Sequence, residues 1–374
     1  MDLSLSPEQT RLAEDLRGWL AEHLELPPPF GSLEEEMEWG RRWQLRLSEA
    51  HWLGLSWPKE YGGRGLSPID VAIFNMEYAA SGAPQPVNRV GLNLVGPTLI
   101  AHGTEEQKRR FLPKILSAEE IWCQLFSEPN AGSDLASLTT SARPVRGGWV
   151  LNGQKVWNSY AQFARWGIGL ARTDPELPKH QGISFFVVDM QADGVRVNPL
   201  RQITGEAEFS EVFLDEVFVP ADRLVGDLNH GWEVANTTLA HERGTTFPFK
   251  EQILCQLQFG EVFRAAQASG QLLDALVADR LAQVYVELRL LGWTNLRTMS
   301  QLARGINPGP ESSQVKLIWS NLTQRLSELA LDLAPTDRLR QRQYLWSKSA
   351  SIAGGTSEIQ REIIAGRILG LRRQ

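Results

Sequence analysis

The feature that most constrains this chain is a double change in hydrophobic period. Apolar residues recur at helical spacing up to about residue 121, fall into short β-branched and aromatic runs from Trp122 to about residue 228, and return to helical spacing from Gly231. That order predicts an α+β fold in three sequential parts: a helical segment over 1–121, a β-sheet or barrel over 122–228, and a second helical segment over 229–374. The sequence shows no convincing internal repeat.

Local signals support each part. Ser6-Pro7-Glu8 supplies a cap, a proline at the first helical position and an acid in the first turn, and Leu12, Leu16 and Leu20 follow at i, i+4 spacing. Further helices are predicted over 33–47, 69–80 and 104–116, with breaks at Pro27-Pro28-Pro29 and at Trp57-Pro58. In the middle part, residues 149–151, 167–170, 183–188, 195–197 and 212–214 read as strands between Gly, Asn, Pro and Asp turns.

The 374 residues carry 38 Lys plus Arg against 44 Asp plus Glu, a formal charge of -6, so no global positive field draws the chain to nucleic acid or an anionic membrane. Cys123 and Cys255 form at most one disulfide and cannot complete a structural zinc or iron–sulfur ligand set. The start, Met1-Asp2-Leu3-Ser4-Leu5, is acidic, and no later run approaches the ~18 apolar residues of a membrane span. The expectation is a cytoplasmic protein without a metal centre.

Familiar chemical signatures are mostly absent. No phosphate loop ends in Gly-Lys-Ser/Thr, Gly167-Ile168-Gly169 lacks the third glycine of a dinucleotide loop, and the six histidines form no His-Glu-x-x-His arrangement. Three patches remain. Phe126 to Asp134 is a loop of small and polar residues able to bring backbone N–H groups close to a polar ligand, although Pro-Asn-Ala-Gly is also an ordinary surface turn. Asn152-Gly153 reads as a turn, followed by a strand that carries Trp157 and Ser159 on one face. That pair could flank a planar cofactor, while the common fate of such an indole is the core. Gly354-Gly355-Thr356-Ser357-Glu358 precedes the last helix, where free N–H groups favour an anion and Thr356 or Ser357 could equally be a plain cap.

Together with Trp57-Pro58-Lys59-Glu60-Tyr61-Gly62-Gly63 and His102-Gly103-Thr104-Glu105-Glu106-Gln107-Lys108, these patches resemble the acyl-CoA dehydrogenase family over nearly the whole chain. The resemblance implies that the last part is a four-helix bundle and that FAD lies between it and the β domain. It also implies that Phe126, Ser127, Gly132 and Ser133 touch flavin and acyl-CoA, that Trp157 and Ser159 flank the isoalloxazine ring, and that Thr356 and Glu358 lie near the cofactor. Ser133, Arg243 and Gly355 would meet the acyl-CoA substrate.

The family reaction removes a proton next to the thioester while hydride passes to flavin, which calls for a carboxylate base. Many members carry a glutamate directly before the Gly-Thr of the last motif. Here that position is Gly354, whose N–H could still donate to the thioester oxygen. A second solution, as in isovaleryl-CoA dehydrogenase, takes the base from an early bundle helix, and Ala240-His241-Glu242-Arg243-Gly244 stands at the matching place. Steps of 3, 4 and 3 from Trp232 reach Ala235, Leu239 and Glu242, placing Glu242 at the edge of a core-facing stripe; with Glu242 as the base, Arg243 would orient or tune it. The alternative for Glu242 is a structural ion pair.

Two departures bear on assembly. Residues 259–284 and 325–352 lack the Arg-x-Thr-Phe-Gly and Gly-Gly-x-Gly segments that usually hold a neighbouring subunit's FAD, leaving Arg280 or Arg338, Arg340 and Arg342 as substitute phosphate partners. The resemblance implies a homo-tetramer or homo-dimer, or a heterotetramer, with an electron-transfer flavoprotein as acceptor. Competing expectations are a non-catalytic or half-site subunit of a heteromeric enzyme and an oxygen-using relative.

Overall fold

A computed structural model of the chain describes residues 5–242, 246–306 and 309–371, with the backbone alone at 242, 246 and 247. Two compact units are present, Pro27–Leu66 with Pro84–Glu242, and Met1–Leu26 with Ser67–Ala83 and Arg243–Gln374.

An eight-stranded sheet forms the centre of the first unit. Its strands are β1 (Trp122–Leu125), β2 (Ser141–Val145), β3 (Gly148–Ser159), β4 (Trp166–Arg172), β5 (Ile183–Asp189), β6 (Val195–Leu200), β7 (Phe209–Pro220) and β8 (Leu224–Val225). They run in the order β6-β7-β3-β2-β4-β5-β8, and β1 pairs parallel to β4. Every run read as a strand from the sequence lies within β3 to β7. Those runs leave out β1, with four residues, β2, which carries an arginine and a proline, and β8, which has two residues, because none of the three shows sustained apolar alternation.

Asn152-Gly153, read as a turn, lies inside the twelve-residue β3 instead. Pairing with β7 slips between Leu151 and Gly153, and a Cβ at Gly153 would stand 2.3 Å from Thr140 Oγ1. The glycine therefore serves a close approach of two chain segments, not a reversal of direction. β4 and β5 are each buried over six consecutive residues, which explains why they read as continuous apolar runs.

Helices α2 (Leu33–Glu49), α4 (Gly96–His102), α5 (Glu105–Leu116) and α6 (Gly231–Glu242) belong to this unit. Thr104 and Gln107 form a capping box at the start of α5. The same Gln107 donates from Nε2 to Asp222 O and Leu224 O, both at 2.8 Å, which pins the helix to the end of the sheet.

The second unit is helical: α1 (Pro7–His23), α3 (Pro68–Ala80), α7 (Thr246–Ala268), α8 (Ala275–Leu302), α9 (Ser312–Leu333), α10 (Arg338–Ser347) and α11 (Ser357–Ile363). Val262, Leu288, Leu291, Leu322 and Leu326 of α7, α8 and α9 share one core, and Ala72 of α3 joins Phe249 and Leu302 in another. The units thus cut across the three sequential parts: α1 and α3 pack with the C-terminal helices, and α6 packs with the sheet. Among the described residues no helix is long and apolar enough to cross a membrane.

Candidate functional site

The loop after β1 doubles back within four residues. Glu128 N donates to Ala131 O at 3.0 Å and Ala131 N to Glu128 O at 3.1 Å, leaving Pro129 and Asn130 as an exposed tip. Phe126 is buried and meets Phe185 edge-on at 5.8 Å, so its ring is a core anchor rather than a free ligand surface. Gly132 and Ser133 are exposed, and a Cβ added at Gly132 would meet nothing within 4 Å.

Beneath the loop lies an ion pair that the sequence reading passed over. Lys155 Nζ stands 2.8 Å from Glu128 Oε1, and the two side chains are 1% and 5% exposed. Lys155 also donates to Phe126 O at 3.2 Å and Leu170 O at 2.8 Å, while Glu128 accepts from Thr139 N at 2.7 Å, Thr139 Oγ1 at 2.9 Å and Thr140 N at 3.0 Å. Burial alone would raise the Glu128 carboxyl, but the Lys155 charge and the hydrogen bonds from Lys155, Thr140 and Thr139 outweigh it and hold the group below its ordinary 4.5. Burial pulls the Lys155 ammonium down, and Glu128 opposes that pull.

Two residues past Lys155, the β3–β7 register slips again, and Trp157 takes a left-handed backbone at φ +63°. A bulky residue in that region is strained, and such strain concentrates at ligand-binding places. Trp157 is 61% exposed, whereas Trp43, Trp57, Trp122 and Trp166 are all buried, so the core fate open to a strand indole is not the one it takes. Asn158, buried between Trp157 and the partly exposed Ser159, donates from Nδ2 to Gln124 O at 2.6 Å, and Val156 N donates to Ser127 O at 2.9 Å. The loop and the bulge are therefore tied together by main-chain and side-chain bonds, and Ser127, Trp157 and Ser159 share one neighbourhood.

Glu242 is the last residue of α6; its side chain and the whole of Arg243 lie outside the described residues. The stripe read from Trp232, Ala235 and Leu239 needs correction, because Val234, Ala235 and Thr238 are the buried residues and Trp232 and Leu239 are only half-buried. Hydropathy misplaces the face because Thr238 satisfies its hydroxyl inside, against Thr98 Oγ1 at 2.9 Å and Val234 O at 3.0 Å. The half-buried Trp232 lines a cleft of about 790 Å³ with His180, Gln181, Asn229, Asn236 and Thr237. His180 stands edge-on to the indole, with ring centroids 5.0 Å apart.

In the helical unit, Gly354 and Gly355 have φ of +64° and +93°, a pair of left-handed positions suited to glycine. The buried Gln360 donates from Nε2 to both of their carbonyls at 3.2 Å. Thr356 caps α11, accepting from Ile359 N at 3.3 Å, so the capping role is realised. Glu358 is exposed and bonded to Arg361 at 3.1 Å, and its own helix-end N–H, Thr356 and Arg361 hold its carboxyl below the usual value. Arg280 pairs with Asp332 at 2.7 Å and Arg340 with Glu261 at 3.3 Å, so both serve helix-to-helix pairs. Among the described residues no group of three or more His, Cys, Asp or Glu could hold a metal ion.

Comparison with known proteins bears on the family and the fold. Family models match in three consecutive stretches: acyl-CoA dehydrogenase N-terminal domain over residues 6–119, middle domain over 123–217 and C-terminal domain over 229–369. The acyl-CoA dehydrogenase IpdE1 of Mycobacterium tuberculosis is 41% identical over 96% of this chain and 97% of its own. The crystal structure of the ChsE4-ChsE5 complex from Mycobacterium tuberculosis superposes with a TM-score of 0.84 at 33% identity, covering all of both chains. A structure described as the Tcur3481-Tcur3483 steroid ACAD superposes at 0.87 with 28% identity, again over all of both chains.

Proposed function

The chain belongs to the acyl-CoA dehydrogenase family, and we propose from that premise that it dehydrogenates an acyl-CoA thioester to the trans-2-enoyl-CoA with Glu242 as the base. The observation that carries the reading is Trp157, an exposed indole held in a strained bulge beside Ser127 and Ser159. Such a surface fits the flat ring of a flavin, and the open space at Gly132 leaves room for close approach of a ligand to main chain. Phe126, Ser127, Gly132, Ser133, Trp157 and Ser159 would hold FAD, and Thr356 and Glu358 are the further cofactor-binding residues of the proposal. FAD supplies the hydride acceptor when bound.

The residues of this chain supply the rest. Glu242 takes the proton next to the thioester carbonyl, Arg243 orients it, and the Gly354 N–H donates to the carbonyl oxygen as negative charge gathers there. Gly355 and Ser133 contact the thioester, and the cleft around Trp232 and His180 offers an aromatic and amide-lined place for the CoA moiety. Replacing Glu242 by Gln is expected to leave FAD bound and to slow acyl-CoA-driven flavin bleaching by about 10²–10⁴-fold. Undiminished bleaching would sink the assignment.

A second reading has its own support. The usual FAD-holding segments are missing from 259–284 and 325–352, and two of the similar solved structures are complexes of two differently named chains. In that reading the chain completes its flavin site with a partner subunit. A colourless protein when purified alone, turning yellow with a companion chain, is the result expected. An electron-transfer flavoprotein is the proposed acceptor, and the steroid ACAD likeness makes a sterol-derived acyl-CoA the first bulky substrate to try.

A further inference from the structure

Glu128 and Lys155 lie outside the chemistry just described, yet their bonds reach main chain around the Phe126–Ser127 loop. Lys155 holds the carbonyls of Phe126 and Leu170, and Glu128 holds the N–H groups of Thr139 and Thr140. Three separate stretches of backbone are therefore held by one buried charge pair. Stability alone does not account for it, because a well-packed apolar pair in such a place is often as stable or more so. What an apolar pair cannot do is fix the spacing of backbone groups by directed bonds.

We propose that Glu128 and Lys155 are positioning residues that lock the Phe126–Ser127 loop and the Trp157 bulge into one rigid flavin-facing surface. The proposal rests on the flavin reading of Trp157. Its geometry is continuous: Lys155 enters the pair, Val156 N bonds Ser127 O, Trp157 turns outward at φ +63°, and Asn158 bonds Gln124 O. Losing the Lys155 ammonium frees the Phe126 carbonyl and leaves the buried Glu128 without its ion-pair partner, so the loop and the bulge lose their common anchor. The left-handed backbone of Trp157, unfavourable by itself, then relaxes.

The test uses the full chain labelled with 5-fluorotryptophan, the Trp157 resonance being assigned by its loss in Trp157→Phe. Lys155→Met and Glu128→Gln are expected to shift that resonance, whereas Arg110→Met, which breaks a different ion pair of the same unit, is expected to lower stability and leave it in place. In parallel, FAD dissociation is measured for Lys155→Met, Trp157→Ala and the double variant. Trp157→Ala is expected to weaken FAD by about tenfold in the native background and far less in the Lys155→Met background, as coupled neighbours do. An unmoved resonance, or effects that simply multiply, overturns the proposal. If Trp157→Ala leaves FAD affinity and spectrum unchanged, the flavin reading fails, and the fluorine shift alone then decides the positioning role. Should Lys155→Met fail to fold, Glu128→Gln carries both comparisons.

Discussion

Thr98 Oγ1 and Thr238 Oγ1 meet at 2.9 Å in the interior of the sheet-bearing unit, joining α4 to α6. Thr238 donates its own proton to Val234 O, so Thr98 supplies the proton in the shared bond. This polar stitch sits one turn before Glu242 and sets how the end of α6 is presented.

Thr238→Val is therefore expected to cost about 1–3 kcal/mol, because it strands the Thr98 hydroxyl in a dry interior. Urea unfolding measures that loss. The same variant should lower kcat more than it raises KM. An unchanged midpoint would show that the hydroxyl pair is not sensed.

Trp157→Asn is expected to stabilise the FAD-free protein by about 1 kcal/mol, since Asn accepts the left-handed region with less strain than Trp. FAD binding should weaken in the same variant. Thermal melts with and without FAD separate the two effects, and a fall in stability without FAD would contradict the strain argument.

The Glu128 carboxyl is held below its ordinary 4.5 in the folded state, so the folded chain binds fewer protons there than the unfolded chain does. Its stabilisation is fully present above the ordinary value and is lost as pH falls through the depressed one. Glu128→Gln should accordingly flatten the acid limb of a stability-against-pH curve. An acid limb as steep as that of the native chain would assign the acid sensitivity to other carboxylates.

Gln360→Met removes the donor shared by the Gly354 and Gly355 carbonyls. We expect a loss of about 1–2 kcal/mol in stability and a fall in kcat larger than the rise in KM, since the turn presenting the Gly354 N–H loosens. Steady-state kinetics at saturating substrate checks this, and a pure KM effect would count against Gly354 as the donor to the thioester oxygen.

Much of this was legible in the sequence. The α–β–α order, the strands of the sheet centre and the Ser-Pro helix start came from periodicity and capping, because long apolar runs and caps act locally. The pairing of α1 and α3 with the C-terminal helices did not, since no local signal says which distant segment shares a core. Trp157 was visible as a candidate, but the bulge that turns it outward depends on the β7 register. Glu128 lies inside the Phe126–Asp134 run and Lys155 between Gly153 and Trp157, and no local pattern assigns either a task. A charged residue in a strand reads as solvated unless its partner, 27 positions away, is known to lie beneath the same loop. The face of α6 was misjudged because a threonine that satisfies itself in the interior looks exposed to a hydropathy count.

The contact between Gly153 and Thr140 sets rules for anyone who would remake this protein. Any side chain at 153 must displace the segment whose N–H groups grip Glu128, so a conservative Gly153→Ala change propagates to the surface around Trp157 without touching it. Libraries aimed at the cleft proposed for the CoA moiety should hold positions 140 and 153 constant. Diversity belongs on α6 at 232, 233, 236 and 240, which line that cleft.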